Sequence, residues 1–294
     1  MVESFNNRPR VWRWVLGTLL ILFFWVTVGG ILTAAAASLF HLNLTALAGT
    51  DEKSRVVLAG YPAWQSAIAI LLSFAPLLLA TLLIYRLMIQ RPIRTLFTAA
   101  PRMNARRVLR GAAVMSGLLL LTSLPDLFLN RSDYTYSFKA SAFAPYFVVA
   151  LLLIPMQTSA EEAFYRGWFQ QWLDNGKRSI WVVSLANGAL FSLPHLANPE
   201  VKGEFFLAVI GYGATGFMFS WVTFRDRSME ISLGAHAANN ILAGLLITSS
   251  DSALPSSSIW TTSAVAWGPA AVISIVMVPL FIWLTRKPGD KVAS

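Results

Sequence analysis

Stretches of about 20 apolar residues, each long enough to cross a hydrocarbon layer of roughly 30 Å as a helix, recur along this whole sequence. Eight are expected, at 14–40, 64–88, 108–129, 141–163, 180–197, 204–224, 230–249 and 264–285. The fifth is the weakest, because Asn187, Pro194 and His195 interrupt it. With 56% hydrophobic and 13% charged residues in a chain of 294, the composition is outside the soluble range. The expected fold is all-α: a polytopic transmembrane helix bundle of about eight spans, one integral membrane domain over residues 1–294.

Lys and Arg set the orientation of such a bundle, since they accumulate in cytoplasmic loops. A cytoplasmic N-terminus places Arg8, Arg10, Arg13, the 86–110 loop, Arg166, Lys177, Arg178, Arg225, Arg227, Arg286, Lys287 and Lys291 inside. Lys53, Arg55, Arg131, Lys139 and Lys202 then fall outside. The alternation holds at every loop, so an even number of spans is expected, with both termini cytoplasmic. The formal charge of +9 belongs to these loops, beside anionic lipid head groups, and implies no nucleic acid. The cluster at 91–110 reads as a topology signal and lipid anchor. The first span, followed by small residues from Ala34 to Ser38, has too long an apolar run for a signal peptide and is expected to stay uncleaved. The chain has no cysteine, which removes disulfides, thiolate nucleophiles and Cys-based zinc sites together. The Ser-rich stretch 249–263 reads as an external loop.

Ionisable groups inside spans cost roughly 2.5–3.5 kcal/mol each on insertion scales, so those present mark candidate functional sites. Of 14 acidic residues only Glu161 and Glu162 lie within or at the end of a long apolar helix. His195 and His236 also lie in apolar segments, whereas His41 sits at an interface. At about 100° per residue, Glu162 and Arg166 share a helix face, and Glu161 points away from Arg166. Glu162 thus has a built-in counterion and Glu161 does not, which leaves Glu161 the carboxyl suited to proton transfer. His236 and Asn240 are one turn apart and can present two N–H donors to one oxyanion; Asn239 lies off that face. His195 is then free to share with Glu161 the holding and deprotonation of a water. Gly211, Gly213 and Gly216 permit close helix approach and read as packing.

Glu161-Glu162-Ala-Phe-Tyr-Arg166, Phe191-Ser-Leu-Pro-His195 and His236-Ala-Ala-Asn239-Asn240, each on its own helix, resemble the motifs of the CPBP (or Abi) membrane proteins. These include the type II CAAX prenyl endopeptidases and bacterial relatives linked to bacteriocin immunity. The similarity covers about 145–248, with Tyr165-Arg166-Gly167 adding to it, and implies an active site formed by the central helices. It implies an intramembrane endopeptidase in a bacterial inner (cell) membrane, cutting near the C-terminus of membrane-associated, CAAX-type substrates. Glu161 and His195 would activate the water, His236 and Asn240 stabilise the oxyanion, and Glu162 and Arg166 orient them. The family is also described as metalloprotease-like; a zinc ion would then be held by Glu161, His195 and His236, but no His-Glu-x-x-His pair is present and a metal-free, glutamate-type mechanism is expected. The expected partners are the lipid bilayer and a peptide or protein substrate, with lipidation open. Two other readings remain: a proton-coupled transporter using Glu161 and a His as a relay, and a non-catalytic immunity or scaffold protein. Inverted repeats and paired broken helices of the transporter type are not seen.

Overall fold

The computed structural model describes residues 9–286 apart from 50, 175 and 177. Arg8, Lys177, Lys287 and Lys291 of the charge argument lie outside the described residues, as do both chain ends. Each of the eight apolar segments forms a helix: α1 (Val11–Leu39), α2 (Ala63–Ile89), α3 (Ala105–Leu129), α4 (Ala140–Leu173), α5 (Ile180–His195), α6 (Phe205–Asp226), α7 (Glu230–Leu245) and α8 (Trp267–Leu284). Six of them, all but α5 and α7, are long and apolar enough to cross a membrane.

The helices α5 and α7 have 16 residues each. At 1.5 Å per residue that is about 24 Å, short of a roughly 30 Å hydrocarbon layer. The expected eight spans are thus six full-length ones and two shorter helices. These two carry His195, His236 and Asn240, the polar residues a lipid-facing helix would tolerate least, and long neighbours wall them in: α5 packs on α6, and α7 on α3 and α4.

Glycine makes those contacts close. A methyl group at Gly234 would overlap the Val108 carbonyl, and one at Gly111 the Ile231 carbonyl, so α3 and α7 cross with their backbones touching. The α5–α6 contact is built likewise: a Cβ at Gly188 would meet the Gly213 carbonyl at 2.6 Å, and one at Gly216 would meet Phe191 Cβ at 2.9 Å. The packing role expected of Gly213 and Gly216 is observed, and Gly211 lies under the Trp267 ring. Helix α1 is pinned to α4 by Trp168, whose Nε1–H donates to Thr18 Oγ1 at 2.9 Å and whose ring meets Trp14 edge-on.

Loops gather at the two ends as eight alternating helices require. At one end Arg13 donates to the Met88 carbonyl (3.1 Å), joining the start of α1 to the end of α2. There too Arg107 pairs with Glu230 Oε2 (2.6 Å) and Asp226, and Arg225 donates to the Ile282 carbonyl (2.8 Å), tying α3, α6, α7 and α8 together. At the opposite end the chain forms a small sheet of β1 (Tyr134–Tyr136), β2 (Ile247–Ser249) and β3 (Trp260–Thr262) in the order β1-β3-β2. Tyr134 faces Thr262 in an antiparallel pair, and Ile247 faces Trp260 in a parallel one. The Ser-rich stretch expected as loop therefore supplies a strand, and Lys202 reaches across to Asp251 at 3.1 Å.

The tight α3–α7 crossing yields a prediction. Gly234→Val forces the two backbones apart and lowers stability by about 1–3 kcal/mol, the usual cost of overpacking. Gly117→Ala on the same α3, where an added Cβ meets nothing within 4 Å, costs nothing and gains up to about 1 kcal/mol from the helix preference of Ala over Gly. Thermal unfolding of the two purified variants in detergent checks this.

Candidate active site

The helix α4 carries more of the buried polar groups than any other helix, and a change in its winding helps to present them. It runs as ordinary α-helix through Glu162, as π-helix from Ala163 to Phe169, and as α-helix again to Leu173. The wider i→i+5 turn is uncommon and frequent at functional sites. Here it accompanies an unbroken buried run from Ala160 to Trp168 and places the Tyr165 carbonyl within 2.7 Å of the Asn187 amide, which donates to it from α5.

Glu162 and Arg166 form the buried ion pair expected from their spacing, Nη1 to Oε1 at 3.0 Å, both side chains fully buried. The guanidinium also donates from Nη2 to the Gly216 carbonyl (3.3 Å) and lies 4.5 Å from the Phe191 ring centroid and 5.4 Å from that of Phe219. A planar, delocalised cation suits these aromatic faces better than an ammonium would.

His236 enters from α7 and lies between the two carboxylates. Its Nδ1–H donates to Glu162 Oε1 at 2.9 Å, and its Nε2 faces Glu161 Oε2 at 3.3 Å. The first bond fixes the tautomer, since only a protonated Nδ1 can donate. The Nε2–Oε2 contact has no hydrogen-bond geometry: with its proton on Nδ1, the ring turns a lone pair rather than an N–H to the Glu161 carboxyl. Glu161 Oε2 is buried and has no hydrogen bond within the protein. Sequence reasoning joined Glu161 to His195; the structure also sets His236 against Glu161, with both its nitrogens facing carboxylate oxygens.

His195 ends α5 with Nδ1 at 2.7 Å from the Phe191 carbonyl, which leaves Nε2 as its open face. Its ring lies between Phe191 and Tyr212, with centroids at 4.5 and 4.6 Å. Tyr212 in turn donates to Glu200 Oε1 at 2.7 Å. Asn240 donates from Nδ2 to Gln157 Oε1 at 3.2 Å and accepts from Asn239 Nδ2 at 3.0 Å. The six expected residues thus converge from α4, α5 and α7, with Phe191 as the ring that Arg166, His195 and His236 all touch. Sequence reasoning missed Gln157, Tyr212 and Glu200. Of these only Gln157 carried a signal: a buried amide one turn before Glu161 in the same apolar helix.

A zinc ion would need Glu161, His195 and His236 directed at one point. Among the described residues no three His, Asp or Glu side chains form such a group. His195 and His236 each turn Nδ1 to an acceptor, the Phe191 carbonyl and Glu162 Oε1, which leaves Nε2 as the nitrogen each would offer to a metal ion.

The family model described as type II CAAX prenyl endopeptidase Rce1-like matches residues 140–242. The uncharacterized protein YyaK of Bacillus subtilis (strain 168) is 34% identical over 212 residues, covering 70% of this chain and 71% of the relative. The chain belongs to the Rce1-like family. The match runs from the start of α4 into α7, so the Rce1-like region coincides with the helices that hold the polar cluster. Membership identifies an integral membrane protein of a family that acts on peptide substrates as a CAAX-type endopeptidase. No solved structure matches the chain.

Charge balance in this Rce1-like core is a measurable quantity. Arg166→Met strands the Glu162 carboxylate in a fully buried position, which costs about 3–5 kcal/mol. The double variant Glu162→Gln/Arg166→Met removes both charges and recovers most of that loss. Thermal melts of the three proteins in one detergent check the order: wild type, then the double variant, then the single.

Proposed function

We propose that the protein is an intramembrane endopeptidase whose water is activated by Glu161, in the membrane of a bacterial cell, with both termini cytoplasmic. The contact that carries this reading is the one between Glu161 and His236, a buried carboxyl and imidazole 3.3 Å apart, with Glu161 Oε2 free of any hydrogen bond within the protein and with Glu162 and Arg166 behind the ring. Glu161 takes a proton from water as the oxygen bonds to the scissile carbonyl carbon; His195, through its open Nε2, helps to hold that water. The C–O bond forms, the carbonyl electrons move onto oxygen, and an N–H of Asn240 stabilises the charge. As the tetrahedral centre collapses, the C–N bond breaks, and the Glu161–His236 pair returns the proton to the leaving amine. Because both His236 nitrogens face carboxylates, the oxyanion role that its sequence context suggested passes to Asn240.

A membrane-borne substrate fits the surroundings. A largely apolar cleft of about 460 Å³ lies between α3, α4 and α7, lined by Val108, Ala112, Pro155, Leu233, Ala237 and Ile241 among others. Ala237 and Ile241 directly follow His236 and Asn240 along the chain, so the cleft borders the site and suits the lipid chain of a CAAX-type substrate reaching the site from the bilayer. His236 is six residues into α7, about 9 Å from the end that Arg107 and Glu230 clamp. That arginine-rich end is the one the charge bias assigns to the cytoplasm.

Purified protein in lipid nanodiscs, given quenched fluorescent peptides ending in CAAX sequences with and without a prenyl group, tests the reading. Wild type cleaves, the prenylated series faster. Glu161→Gln loses roughly 10²–10⁴-fold in rate, the usual contribution of a general base, and a chelator leaves wild-type cleavage intact. Cleavage that survives in Glu161→Gln, or no cleavage by wild type that binds the peptides, would sink the proposal.

A further inference from the structure

Gln157 has no place in the reaction as set out above, yet it is buried at 7% exposure in an apolar helix, where an unneeded amide is costly. Its position is specific. Gln157 and Glu161 are one turn apart on α4, as Asn240 and His236 are on α7, and the two helices meet rung to rung. One rung joins Glu161 to His236 at 3.3 Å, and the next joins Gln157 to Asn240 at 3.2 Å. The rungs are four residues apart on each helix, about 6 Å along the axis. A water on Glu161 and the carbonyl group it attacks can bridge that span.

The Asn240 side chain has one acceptor oxygen and two N–H donors. Asn239 Nδ2 donates to its Oδ1 at 3.0 Å, and one of its N–H groups is taken by Gln157 Oε1. With both ends of the planar amide held, it cannot turn end for end and exchange its donor for its acceptor. One N–H is left over, in a fixed orientation. An oxyanion donor must already point at the developing charge, because a freely rotating amide loses part of its stabilisation to reorientation.

We propose that Gln157 is a positioning residue for peptide hydrolysis: it clamps the Asn240 amide so that its remaining N–H is presented to the oxyanion, with Asn239 holding the other end. This rests on the endopeptidase reading above, and the role belongs to the transition state. Its loss therefore lowers kcat and leaves KM nearly unchanged.

A double-mutant cycle on purified protein in nanodiscs, using whichever CAAX peptide wild type cleaves, tests it. Gln157→Met keeps the length and bulk of the side chain and removes the acceptor, and Asn239→Ala removes the other clamp from a less buried site. Each lowers kcat by roughly ten- to a hundredfold, the range seen when a residue that orients an active-site group is lost. Asn240→Ala lowers it about a hundredfold or more, and adding Gln157→Met or Asn239→Ala to Asn240→Ala causes no further loss. A purely structural role would instead give losses that multiply, or a raised KM with kcat intact; either result overturns the proposal. If Gln157→Met does not fold, the Asn239→Ala and Asn240→Ala pair decides by the same criterion. Cleavage that needs Glu161 but shows multiplying losses removes the clamp alone, whereas absence of any wild-type cleavage removes the endopeptidase reading and the clamp with it.

Discussion

The junction of Glu162, Arg166 and His236 is the constraint around which the bundle is arranged. A carboxylate with no exposure to solvent cannot remain charged in an apolar bundle without a cation and hydrogen bonds, and Arg166 and the Nδ1–H of His236 supply them. Those two partners come from α4 and α7, so the charge requirement also fixes which helices meet and at what height. Arg166 in turn rests on Phe191 of α5 and Phe219 of α6. Four helices thus share one buried polar centre, and the long outer helices shield it from lipid.

Shielding accounts for the sizes of the helices. An apolar helix can face lipid along its whole length, whereas α5 and α7 carry His195, His236, Asn239 and Asn240. These two are the shortest of the eight, and glycines let their neighbours approach to backbone contact. Clamps at the two ends hold the arrangement: Arg107 with Asp226 and Glu230 at one, the three-stranded sheet with Lys202 and Asp251 at the other.

Much of this was legible in the sequence. Apolar runs mark helices because nothing else satisfies the backbone in lipid, and the scarcity of intramembrane charge singles out Glu161, Glu162, His195 and His236. Spacing correctly paired Glu162 with Arg166, since both lie on one helix. Periodicity reports which residues share a face of a single helix and carries no information on which faces meet. For that reason the closeness of His236 to Glu161, the contact of Gln157 with Asn240, and Tyr212 against His195 came only from the structure. The π-helical turn at Ala163–Phe169 has no compositional signature, and strands of three residues such as Trp260–Thr262 are too short for alternation to register.

In the proposed mechanism a water molecule activated by Glu161 and held by His195 attacks the peptide directly, without a covalent link to the enzyme. Single-turnover cleavage in ¹⁸O-labelled water, with intact-mass analysis of peptide and protein at successive times, tests that claim most directly. The account predicts one ¹⁸O atom in the new carboxylate of the upstream fragment and a protein mass that never changes. A transient gain in protein mass equal to the upstream acyl fragment would contradict it.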